Sequence, residues 1–192
     1  MALYELKEIR KTFRIFSMKL DLTILLIIFS LISIKAQTKK TKITNNHEGF
    51  SFNYDKPNNW VLDSVNAAQY LAHSAIFKSK EDYDNGGPLI QIFAFKKQDE
   101  NTIEDLNFDV SSYIERYENL KQKELTIKHS LYKTFGKEVY VEGSFYQYIV
   151  YLNPGKEFDF GVSIALNINK TELLSEDLEL FKNLVKSVKA LN

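Results

Sequence analysis

The chain has 192 residues, 25 basic and 25 acidic side chains, and no cysteine. That balance gives no electrostatic drive toward nucleic acid, and the missing thiols exclude thiol catalysis, disulfide exchange and thiolate metal sites. A chain of this size buries about two-thirds of its unfolded surface, so one domain can fold without disulfides.

The run from Leu22 to Ile34 (LTILLIIFSLISI) is uncharged and largely apolar over 13 residues, with Lys19 before it and Ala36 after it. A basic flank, a short apolar segment and a small residue at its end describe a secretory signal peptide. The expectation is a leader over residues 1–36. Met18 is the alternative translation start, because it opens a leader of ordinary length. A spanning helix needs roughly 20 apolar residues, so contact with a membrane is expected only if the segment from Leu22 to Ile34 is retained as an anchor. Without a cysteine after the run, lipid anchoring is excluded. Residues 1–36 hold six basic and three acidic side chains, leaving a small acid excess beyond them, where Arg116 is the single arginine. A bidentate phosphate clamp is therefore not expected.

Residues 37–46 (QTKKTKITNN) are polar and aperiodic and are expected to form a flexible mature N-terminus, with the fold beginning near His47. Phe50, Phe52 and Tyr54 alternate as in a half-buried strand. Asp55-Lys56-Pro57-Asn58-Asn59 is turn chemistry, followed by Trp60-Val61-Leu62. Residues 65–72 read as a short helix or irregular link, and 74–78 as a strand. A turn is expected over 82–88, where Gly86-Gly87-Pro88 supplies positive φ and a fixed φ. Residues 89–95 (LIQIFAF) read as a strand covered on both faces.

Thr102 and Asp105 resemble a capping box, and Ile103, Leu106, Val110, Ile114, Tyr117 and Leu120 recur at helical spacing. Leu125, Ile127 and Leu131 suggest a strand, and Gly136-Lys137 a hairpin turn. A long alternating strand is expected over 139–152, then a turn at Asn153-Pro154-Gly155. Phe158, Phe160, Val162, Ile164, Leu166 and Ile168 alternate with small or polar residues, so one face enters a core and the other meets solvent or a close backbone. A last helix is expected from Thr171 or Ser175 to Leu191, with Leu178, Phe181, Leu184, Val185, Val188 and Leu191 as its apolar stripe. Short turns join antiparallel neighbours, so the second half reads as a meander. The fold class is α+β, an antiparallel sheet layered with helices.

GFSFNYDKPNNWVL, with its alternating strand and Pro-x-x-Trp, resembles the opening of PsbP-like domains. FDFGVSIALNI followed by LELFKNLVKSVKAL, with Ser187 near the end, resembles their closing strand and helix. The resemblance covers residues 47–192 and implies an α/β/α sandwich. It implies roles in binding and assembly, as in extrinsic photosystem subunits, a nuclear-transport factor that binds a small GTPase, and DcrB-like bacterial envelope proteins. It implies no shared catalytic residue. The Ala36-Gln37 junction is similar to cleavage sites of Gram-negative secreted proteins, which implies a periplasmic or extracellular location.

Chemical signals are sparse. His47, His73 and His129 lack metal-ligand spacing. Residues 81–86 (EDYDNG) fail the calcium-loop pattern, since position 5 counted from Asp82 is Gly86 and position 12 is Phe93. No nucleophile elbow or phosphate loop is present. Asn169-Lys170-Thr171 is a formal glycosylation sequon, but Thr171 reads more economically as a helix cap. No cofactor and no metal site are expected. Tyr140, Tyr146 and Tyr148 share parity, which suits cross-strand packing or a binding face. Trp60 reads as a core residue or a pocket rim. The expected function is a secreted, non-enzymatic binding or assembly module of the cell envelope, its partner a protein or an apolar ligand. The alternatives are a carrier of a small apolar ligand or lipid, and a hydrolase built on His73 or His129 beside a carboxylate and a nucleophile.

Overall fold

The computed structural model describes residues 41–47, 49–98, 102–169 and 175–191. The apolar run at 22–34 and Thr171 lie outside the described residues. The order is β1 (Thr41–His47), β2 (Phe50–Lys56), β3 (Val61–Asp63), a single 3-10 turn (Ala67–Tyr70), β4 (Ser74–Phe77), α1 (Lys80–Asp84) and β5 (Leu89–Lys96). Then come α2 (Ile103–Arg116), β6 (Lys121–Glu124), β7 (Lys133–Val141), β8 (Phe145–Asn153), β9 (Phe160–Ile168), α3 (Ser175–Ser187) and β10 (Lys189–Ala190). Among the described residues the strands form two sheets, β1-β2-β10 and β3-β4-β5-β9-β8-β7-β6, with all pairs antiparallel. The α+β class and the meander β6-β7-β8-β9 follow from the short connections.

The main core lies on one face of the large sheet. Phe160, Val162, Ile164, Leu166 and Ile168 of β9 meet Phe52 and Tyr54 of β2 and Phe181, Leu184 and Val185 of α3. Burying each such side chain contributes about 1.5–3 kcal/mol. That layer is mixed, a small sheet with one helix, rather than the purely helical layer of a simple α/β/α sandwich. The opposite face is covered by α2, where Leu106 and Val110 pack on Val139, Ile149, Tyr151 and Ala165. Ser187 ties α3 to β2: its Oγ accepts from Asp55 N–H at 2.8 Å and donates to Leu184 C=O at 2.6 Å. At the start of α3, the buried Asp177 carboxylate lies 2.8 Å from Lys78 Nζ.

Several elements differ from the sequence expectations. Residues 41–46 are not a loose tail: β1 pairs with β2 from Thr41↔Lys56 to His47↔Phe50. Its side chains are mostly exposed, so no alternation of apolar residues announces it. Residues 80–84 form a one-turn helix, capped by Ser79 Oγ accepting from Asp82 N–H at 3.0 Å, before the turn at Asn85 and Gly86. Residues 89–95 are fully covered on one face only: on the other, Leu89 is buried and Gln91 and Phe95 half-buried, but Phe93 is 41% exposed. Thr102 does not cap α2 through its side chain; its φ of −64° and ψ of 5° are not the extended backbone of a capping residue.

The strand expected around Leu125 to Leu131 is displaced to Lys121–Glu124, an all-polar edge strand. Charged side chains suit an edge, but they hide it from a periodicity count. Gly136 is no turn; it sits inside β7 opposite Val150. The hairpin turn is at residues 142–144, where Gly143 has φ +75°, so the single strand expected over 139–152 is two. The last helix ends at Ser187, and Lys189 and Ala190 pair with Asn53 and Phe52 of β2.

Candidate functional site

Trp60 is 6% exposed and belongs to the main core. It is placed by the Pro57–Trp60 turn, with Lys56 Nζ donating to Pro57 C=O at 3.0 Å. Tyr140 and Tyr146 are cross-strand partners on β7 and β8, stacked with ring centroids 5.4 Å apart. Lys123 Nζ lies 4.9 Å from the Tyr140 ring centroid, a cation–π contact. Tyr148 O–H donates to Glu138 Oε1 at 3.3 Å; burial, then the Glu138 charge, push this phenol well above its ordinary range. The structure thus brings the three tyrosines together on one face, and it places Tyr148 in the same main core as Trp60, with Tyr146 packed against that core. Tyr140 is 9% and Tyr148 6% exposed, while Tyr146 is half-buried. The group is a packed cross-strand ladder with Lys123 over one ring.

His73 and His129 are tied to the backbone. His73 Nδ1 accepts from Ala94 N–H at 3.1 Å, and its ring lies 4.5 Å from that of Phe93. His129 Nδ1 faces the N–H groups of Leu131 and Tyr132, both at 3.1 Å, and its Nε2 lies 3.1 Å from Val188 C=O. Those partners require the Nε2–H tautomer, with Nδ1 as acceptor. Among the described residues no group of three His, Asp or Glu side chains is placed to hold a metal ion.

The concave feature that periodicity did not indicate is a cleft of about 260 Å³ between α2 and the β6–β7 ladder. Ile103, Leu106 and Asn107 form one wall; Glu124, Leu125 and Thr126 and then Phe135, Gly136 and Lys137 form the other. Lys137 Nζ meets Glu124 Oε1 at 2.5 Å across the strand pair. Leu125 N–H donates to Gly136 C=O at 3.0 Å, and a Cβ on Gly136 would stand 2.6 Å from Leu125 C=O. Glycine is therefore what lets the 125–126 wall lie against β7. A glycine inside a strand is the one sequence signal that could have pointed here, but Gly136-Lys137 reads in the sequence as a hairpin turn.

Along the same helix flank, Ile114 is 51% and Tyr117 40% exposed, the latter with its ring 4.9 Å from that of Phe145. Beneath α2, Tyr151 O–H donates to Asp109 Oδ2 at 3.1 Å. Burial raises the Asp109 carboxyl above its ordinary value, partly offset by that hydrogen bond. The arrangement offers a small amphipathic groove at the N-terminal end of α2 and, further along the helix, an exposed apolar pair.

No family model matches the chain, and no curated protein matches it. Among solved structures it is similar to the Ran-binding protein Mog1p of Saccharomyces cerevisiae, at 13% identity over 79% of this chain and 96% of that one, with a TM-score of 0.46. It is similar also to cyanobacterial PsbP (CyanoP) of Synechocystis sp. PCC 6803, at 14% identity over 82% and 96%, with a TM-score of 0.47. Both are similar in general arrangement, and nothing about this chain's partners follows from them.

Proposed function

We propose that the chain is an exported, non-enzymatic binding or assembly module of the bacterial cell envelope that meets a protein partner along α2. The observation that carries the reading is the flank of that helix. Leu106 and Val110 are buried on the sheet, while Ile114 and, at the helix end, Tyr117 stay 51% and 40% exposed. Large apolar side chains left exposed along one helix flank are a contact surface awaiting cover. Export rests on the apolar run at 22–34 with its basic flank. The non-enzymatic reading is supported by His129, whose two ring nitrogens are engaged by backbone groups. A second reading, a carrier of a small apolar ligand, is favoured by Ile103, Leu106, Leu125 and Phe135 lining the cleft.

The test is capture of the tagged full chain from its native envelope, with mass spectrometry of proteins and lipids, beside the variant Ile114→Glu. A protein recovered in constant ratio with the wild type and lost with Ile114→Glu is expected. A bound lipid without a protein would favour the carrier. Hydrolysis of ester or peptide substrates that vanishes in His73→Ala would overturn the non-enzymatic reading.

A further inference from the structure

The segment after β6 is fastened to the C-terminal strand by one imidazole. His129 Nδ1 accepts from Leu131 N–H and Tyr132 N–H, and Nε2–H donates to Val188 C=O, all at 3.1 Å. The ring lies flat on that of Tyr132, with centroids 4.8 Å apart and planes at 10°. The Tyr132 hydroxyl in turn accepts from Ala190 N–H at 3.0 Å, and Leu191 N–H reaches Ser51 C=O at 2.8 Å. Two backbone donors on Nδ1 leave no room for a proton there: an imidazolium would face them with a third donor and no acceptor.

We infer that His129 is a pH-sensitive clasp, closed when neutral, whose protonation at Nδ1 frees the 129–132 segment, and with it the hold of the Tyr132 hydroxyl on Ala190 of β10, while Nε2–H stays on Val188 C=O. The groups facing the ring are Tyr132, stacked on it, and Lys189 of β10, whose positive charge disfavours the imidazolium; Lys128 is its neighbour along the chain. Burial lowers the imidazole below its ordinary value, the Val188 hydrogen bond raises it in part, and Lys189 lowers it again. A histidine lowered in the folded state contributes stability that is complete above its unfolded value of about 6.5. That contribution is lost as pH falls through the folded value. The loss is local because β10 is two residues long and pairs with β2 alone, whereas the core strands have partners on both sides. The inference concerns the clasp itself and holds whether or not the α2 cleft binds anything.

The test is hydrogen exchange of the Leu131, Tyr132 and Ala190 amides in the full chain between pH 7.5 and 5, expressed as protection factors. Opening should become easier by up to about tenfold per pH unit below the unfolded value. In His129→Gln, which cannot be protonated, that pH dependence should vanish. Protection that stays flat with pH in the wild type, or the same slope in the variant, overturns the clasp. If His129→Gln does not fold, nitrogen NMR of the wild-type ring decides. An Nε2–H tautomer titrating below 6.5 is expected; an Nδ1–H tautomer, or titration at or above 6.5, refutes it.

Discussion

On one face of the seven-stranded sheet, β9 presents Phe160, Val162, Ile164, Leu166 and Ile168; on the other it presents Gly161, Ser163, Ala165 and Asn167. The first set is sealed under β2 and α3, at 3% exposure or less for every member. The second lies on the face that α2 covers only in part, with Ser163 and Asn167 half-buried and Phe93 beside them on β5 41% exposed. One face carries the larger core. The other holds a smaller one under α2 and keeps a cleft, a half-buried carboxylate and an exposed apolar flank. An evenly packed sheet would have left no such surface, since close-packed interiors hold few voids.

The sharpest way to break this contrast is to truncate both faces. Phe181→Ala, which removes a side chain with no exposure, should cost about 3–5 kcal/mol in urea denaturation. Leu106→Ala should cost only about 2–3 kcal/mol, near the low end for its class, because the adjoining cleft already lacks packing partners. Equal costs would mean that the α2 face is as tightly built as the other.

Next in size is Gly136→Ala. Its Cβ would meet Leu125 C=O at 2.6 Å and Ile149 C=O at 3.2 Å. Backbone atoms yield poorly, so a loss of about 1–3 kcal/mol is expected, with amide shifts at Leu125 and Thr126 reporting the moved wall. Unchanged shifts and an unchanged midpoint would show that the wall does not depend on the glycine.

The smallest effect distinguishes the faces by pH. Asp109 is raised by burial. Its contribution is complete below the unfolded value of about 3.9 and is lost as pH rises through the folded value. His129 has the opposite sign, losing its contribution as pH falls from about 6.5. Asp109→Asn, which keeps an acceptor for Tyr151, should therefore gain stability relative to the wild type as pH rises from 3 to 6, then hold that gain constant. A gain that shrinks over this range would mean that the carboxylate is favoured where it lies.

The alternation of 160–168 and the helical spacing of Leu106 with Val110 were legible because burial on one side imposes a period on the residues that face it. Edge strands were not: β1 and β6 carry polar side chains on both faces, and their place is set by hydrogen bonds to β2 and β7. The 142–144 turn was missed because Gly143 lies among residues that continue the strand pattern, while Gly136, the more conspicuous glycine, marks a close backbone approach instead. Of the candidate site, the sequence allowed Trp60 as core or pocket rim and the tyrosines as cross-strand packing or a binding face; it could not choose between packing and binding. The Tyr140–Tyr146 stack joins two strands whose register is fixed by the turn between them.

The amino-acid order by itself determined the α+β class, the antiparallel meander and the identity of the main core, because hydrophobic periodicity is a local signal that survives without knowledge of neighbours. Only the tertiary structure decided which polar groups spend their hydrogen bonds on packing and which surfaces are left uncovered. His129, Asp109 and Gly136 acquire their roles from partners distant along the chain, at Val188, Tyr151 and Leu125 respectively. Such contacts follow from how sheets and helices stack, and no spacing between residues encodes them.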